Sequence, residues 1–142
     1  MINLRFTLRG SKKVEQKIQH GVNLKQAIKP AMLKGVLYVH SQVPAYPSAS
    51  PESNYTRTGN LGRSVTTMQG QVAGALSRVE SLGSGAVGFI GSNMAYAPYV
   101  IDENRQAWMH KGRWWTLQSV VNKARSGVIK ILRRSILDYL GE

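Results

Sequence analysis

The chain has 142 residues, 42% of them hydrophobic, with 19 Lys and Arg against 7 Asp and Glu, a formal charge of +12. That apolar content suits one compact domain over residues 1–142 and excludes wholesale disorder, while the absence of cysteine excludes disulfide frameworks, thiolate metal sites and thiol nucleophiles. No apolar run approaches the roughly 18 residues of a membrane span, and the first ten residues alternate instead of forming a leader's apolar core, so a soluble protein made in the cytoplasm is expected.

Ile2, Leu4, Phe6 and Leu8 alternate with polar residues, the period of a strand with one buried face. Gly10-Ser11 ends it, and Ser11 opens a short helix with Val14 and Ile18 on one side and Lys12, Lys13 and Lys17 on the other, stopped near Gly21. Asn23 and Gln26 have capping-box spacing ahead of a second helix, in which Leu24, Ile28, Ala31/Met32, Gly35/Val36, Val39 and Val43 recur at helical intervals. Pro30 lies inside that pattern and predicts a kink or a later start. Residues 44–57, with three prolines and three serines between Pro44 and Arg57, predict a mobile surface loop.

Three strands are predicted next, over 61–68, 71–82 and 86–91, with turns at Gln69-Gly70-Gln71 and Gly83-Ser84-Gly85 making a meander. A short extended piece is expected over 96–101. Residues 102–115 show no period and hold all three tryptophans, an irregular aromatic and basic arm. The last element is the clearest helix: Leu117, Val121, Ala124, Val128, Ile131/Leu132, Ser135 and Tyr139 form its apolar stripe against Lys123, Lys130, Arg133 and Arg134, with Thr116 as the cap. The order of elements predicts an α+β fold, an antiparallel sheet made of the meander plus the N-terminal strand, with helices packed on one face. The open edges of such a sheet favour assembly with other chains.

Little in the chain points to catalysis. Hydrolytic chemistry needs two carboxylates facing one site and metal-assisted phosphoryl chemistry needs several acids converging; here Glu15, Glu52, Glu80, Asp102, Glu103, Asp138 and Glu142 fall on separate elements apart from the pair 102–103. His20, His40 and His110 lack metal-ligand spacing. No Gly-x-Ser-x-Gly elbow occurs, and Leu82-Gly-Ser-Gly-Ala86 lacks the lysine of a phosphate loop. No catalytic residue, metal or cofactor is therefore expected. Trp108-Met-His-Lys-Gly-Arg-Trp-Trp115 combines the residue types that dominate binding hot spots, and reads as a subunit contact, as a surface for stacking on bases, or in part as packing beneath the last helix.

The basic excess leans toward the first half: residues 1–71 hold ten Lys and Arg and two acids, residues 72–142 nine and five. Such a charge suits a nucleic acid or an acidic protein surface. Arg57-Thr-Gly-Asn-Leu61 reads as a tight turn in which Gly59 and Asn60 take positive φ, Leu61 docks into the core, and Arg57 and Arg63 stay outside.

Two stretches resemble a known family. Tyr55-Thr-Arg-Thr-Gly-Asn-Leu-Gly-Arg-Ser-Val65, after a helix that ends in a Pro-containing loop, resembles the (Arg)-Thr-Gly-x-Leu-x-x-Ser-Ile signature of the tail-completion, or neck, proteins of long-tailed double-stranded DNA bacteriophages. Gly91-Ser-Asn-Met-Ala-Tyr-Ala-Pro-Tyr-Val100 resembles their second signature, Tyr-Ala-x-Tyr-Val. The chain departs where many members continue into Glu-x-Gly-Thr and a later Pro-Phe-Leu, reading Ile101-Asp-Glu-Asn104 and Arg113-Trp-Trp115. The resemblance implies a non-catalytic virion protein, assembled in the host cytoplasm as a homo-oligomeric ring of the neck, between the head–tail connector and the tail terminator or tube.

On that reading Arg57, Arg63, Tyr96, Tyr99, Trp108, Arg113, Trp114 and Trp115 are candidate subunit or partner contacts. Lys12, Lys13, Lys17, Arg133 and Arg134 are candidates for an electrostatic surface facing either DNA in the channel or an acidic connector or tail subunit. The alternative is a stand-alone basic nucleic-acid-binding protein. A small nuclease comes third, for want of a carboxylate or histidine cluster.

Overall fold

Residues 2–5, 24–49, 51–54, 57–83 and 85–141 are described by a computed structural model, the first four as backbone. The predicted helix after Ser11, with Lys12, Lys13 and Lys17, lies outside these residues. The described elements are β1 (Ile2–Arg5), α1 (Lys25–Ser41), α2 (Asn60–Val65), β2 (Arg78–Leu82), β3 (Gly85–Ile90), α3 (Ala97–Ile101) and α4 (Leu117–Leu140).

The fold is α+β. Its antiparallel sheet has the order β1-β3-β2, with Ile2 opposite Ile90, Arg5 opposite Val87, Arg78 opposite Phe89 and Leu82 opposite Gly85. The β2–β3 hairpin closes at the predicted glycine turn, where Gly83 takes φ +57°. The three-strand meander does not form. Residues 61–65 belong to α2, and the predicted strand 71–82 contracts to β2, preceded by turns and single bridges from Met68 to Ser77 and from Ala75 to Ser92. The residues 97–101 form the helix α3, not an extended piece, with Pro98 in its first turn, where the missing N–H costs nothing.

α1 lies between the sheet and α4. Toward the sheet, Val36 and Met32 close over Gly88 of β3; a Cβ there would stand 2.7 Å from Val36 Cγ2 and 3.2 Å from Met32 Sδ. Toward α4, Gly35 faces Val128 and Leu132, and Gly127 of α4 lies directly beneath the Tyr38 ring. The helices run antiparallel, since Tyr139 near the end of α4 donates from Oη to Gln26 Oε1 at the start of α1, 3.3 Å away. α4 thus packs mainly on α1 and not on the sheet, so the helices form successive layers on the covered face.

The helices depart from expectation in two ways. α1 starts before Pro30 and runs through it, with the proline on the exposed side and one i→i−4 hydrogen bond missing. Its N-cap is Leu24, which accepts from the amides of Ala27 and Ile28; Asn23 of the predicted capping box lies outside the described residues. The buried stripe of α4 is Leu117, Val120, Ala124, Val128, Leu132, Ile136 and Leu140. Steps of four residues follow the ridge that seats on α1, and each turns the contact line by about 40° at 100° per residue, so Ile136 and Leu140 replace Ser135 and Tyr139. The Thr116 cap forms as expected, with Thr116 Oγ1 accepting from the Ser119 amide at 3.2 Å and Ser119 Oγ accepting from the Thr116 amide at 3.3 Å.

Candidate functional site

The segment Thr58–Ser64 is built around Gly59, the N-cap of α2, which sits at φ +74°. Its carbonyl accepts from the Arg63 amide, and only glycine adopts this conformation without strain. Asn60 is helical, not at positive φ. Leu61, Ser64 and Val65 then point inward at intervals of three and four, all buried.

Ser64 Oγ donates to Leu61 O at 2.7 Å and lies 2.7 Å from Ser92 Oγ. Its single proton being used, it accepts from Ser92; Ser92 Oγ in turn accepts from the Met94 amide at 3.2 Å. The two segments that carry the sequence resemblance therefore meet at a pair of hydroxyls. A second buried polar contact backs this one: His40 Nε2 of α1 lies 2.9 Å from Ser77 Oγ, and burial lowers the His40 pKa below its ordinary value.

The arm 102–115 folds as consecutive turns tied to its neighbours. Buried Gln106 donates from Nε2 to Val100 O at 2.7 Å and to Trp114 O at 3.2 Å, and the Ala107 amide donates to Tyr99 O at 2.8 Å. Trp114 centres a half-buried aromatic group, with ring centroids 5.2 Å from Tyr46, 6.0 Å from His110 and 6.2 Å from Trp115. Contrary to expectation, Arg57 turns inward here. Its guanidinium lies 5.4 Å from the Trp114 ring centroid and donates to Pro47 O. Burial, then the charges of Arg113 and Arg57, lower the His110 pKa. The loop 44–57 is fastened at several points, Tyr46 Oη accepting from the Gly62 amide at 2.6 Å and Arg113 donating to Ser48 O at 3.2 Å.

The candidate contacts thus separate into two groups. Arg57, Trp114 and Trp115 pack within the fold; Arg63, Tyr96, Tyr99, Trp108 and Arg113 are exposed. Trp108 is the extreme, 82% exposed at the tip of the arm beside exposed Met109. Arg63 is turned back on its own loop, donating to Thr58 O and Asn60 Oδ1. Arg133 and Arg134 lie on the exposed side of α4.

Sequence reasoning missed Gln106, Ser92 and Ser77, single polar residues in irregular segments whose role depends on what folds over them. Among the described residues no three His, Asp or Glu stand close enough to hold a metal ion, and no helix is long and apolar enough to cross a membrane. A shallow cleft lined by Ser92, Ala97, Ile101, Asp102, Leu117 and Gln118 has a volume of about 40 Å³, room for a few water molecules. Compared with protein-family models, curated proteins and solved structures, the chain matches none.

Proposed function

We propose that this chain is a structural subunit of a phage neck, forming a ring that joins the head connector to the tail, and that it acts through contacts between copies and neighbours without transforming a substrate. The observation that carries the reading is the Ser64–Ser92 joint, which locks together the two segments resembling the neck signatures. Those segments serve as scaffold: their inward residues hold α2 and α3 in place, and their outward residues, with the arm, form the contact surface. Trp108 suits that role, because a large side chain left in water gains most by burial against a partner. The cationic side of α4 favours a second reading, a stand-alone nucleic-acid-binding protein.

The test is size-exclusion chromatography with light scattering, and negative-stain imaging of the purified protein alone and with heads and tails from particles lacking it. Rings that attach to a head or tail end support the neck. A monomer at every concentration that joins neither component, while binding DNA, selects the second reading.

A further inference from the structure

The outward side of α4 carries an unusual charge pattern. The helix holds Lys123, Arg125, Lys130, Arg133 and Arg134 against one acid, Asp138. All five cations are exposed. Arg134 pairs with Asp138 at 2.9 Å, whereas Lys123, Arg125, Lys130 and Arg133 make no ion pair among the described residues. At 100° per residue these four fall within an arc of roughly 160°, and at 1.5 Å per residue Lys123 and Arg133 stand about 15 Å apart along the axis. A solvated helix face ordinarily interleaves acids one turn from bases, which relieves repulsion. Here that relief is confined to the Arg134–Asp138 pair near the end of the helix.

We infer that this face binds the phosphate backbone of duplex DNA without regard to sequence. Duplex DNA presents about one negative charge per 1.7 Å of axis, so a 15 Å contact meets several phosphates within reach of flexible Lys and Arg side chains. A protein partner fits less well. Protein interfaces are depleted in Lys at their centres and anchored on aromatic and Arg side chains packed among apolar surface, whereas the exposed large apolar residues of α4 are Ile129 and Tyr139, the latter at the helix end and bonded to Gln26 of α1, and exposed Trp108, Tyr96 and Tyr99 lie on other segments. The apolar stripe of α4 is already buried on α1, which leaves nothing to insert into a bilayer. For its biological setting, DNA threading a ring, the proposal rests on the neck reading; the binding itself does not.

The experiment uses the full chain and fluorescence anisotropy with two labelled duplexes of unrelated sequence at 50 to 200 mM salt. It compares the wild type with Lys123→Gln/Arg125→Gln/Lys130→Gln/Arg133→Gln, whose fold is checked by circular dichroism, and with Lys29→Gln/Lys34→Gln on α1. With four phosphate contacts on α4, the wild-type affinity falls at least about 150-fold across that fourfold salt change, a slope of about −3.6 or steeper. The α4 variant loses about three to four units of slope for both duplexes, and the α1 variant loses fewer. An unchanged slope in the α4 variant overturns the proposal. So does a wild type that binds polyglutamate or phosphatidylserine vesicles but neither duplex. Rings without duplex binding overturn this proposal and leave the neck reading standing; duplex binding without rings does the reverse.

Discussion

Gly88→Ala tests the packing of the sheet on α1. The added Cβ would stand 2.7 Å from Val36 Cγ2, about 0.8 Å inside the ~3.5 Å of a normal carbon contact. Neither side yields easily. Val36 is fully buried with a stiff, β-branched side chain, and Gly88 sits on the central strand, paired with Leu4 on one side and Val79 on the other. Overpacking of this kind costs about 1–3 kcal/mol, offset by about 0.5–1 kcal/mol from the reduced freedom of the unfolded chain. The net is a loss of about 1–2 kcal/mol, or roughly 2–8 °C in melting temperature for a chain of this size. Gly85→Ala is the control on the same strand: its Cβ meets nothing closer than 3.6 Å, so it should be neutral or stabilising by up to about 1 kcal/mol. Urea denaturation of Gly88→Ala, Val36→Ala and the double variant measures the coupling. The double variant should be more stable than the sum of the two losses implies, by about the cost of the clash. A Gly88→Ala protein as stable as wild type, or strict additivity in the cycle, would refute this account of the packing.

Ser64→Ala removes the hydroxyl that bridges Leu61 O and Ser92 Oγ and takes from Ser92 its acceptor, a loss of about 1–2 kcal/mol for two hydrogen bonds at a partly buried joint; Ser92→Ala should be non-additive with it in urea melts. Because burial depresses the pKa of folded His40 below its unfolded value near 6.5, the unfolded chain binds the proton more readily. The stability this confers is complete above about pH 6.5 and is lost as pH falls toward the folded pKa. His110 contributes in the same direction, so His40→Gln should flatten, but not abolish, the drop in urea midpoint between pH 7.5 and 5. Trp108→Ala should leave stability within about 0.5 kcal/mol while weakening ring formation or attachment to heads or tails. Trp114→Ala, which removes the ring under Arg57, Tyr46 and His110, should instead cost about 2–3 kcal/mol in thermal or urea unfolding.

Long or strongly marked features were legible in the residues themselves. α4 follows from more than twenty residues of helical period opened by Thr116, α1 from its apolar recurrence, β1 from strict alternation, and the hairpin from Gly83. In each the signal is local, because backbone conformation and side-chain period are encoded within a few neighbouring positions. Tertiary structure decided the short and the relational features. Residues 60–65 and 97–101 are too short to hold a helix alone, and they are helical because packing selects the conformation that buries Leu61, Ser64, Ala97 and Ile101. The line of contact along α4 was set by the ridge that fits α1, a property of two helices and not of one. Whether an arginine faces water or a tryptophan, as Arg57 does, depends on a ring 57 positions away, and no local pattern encodes that separation.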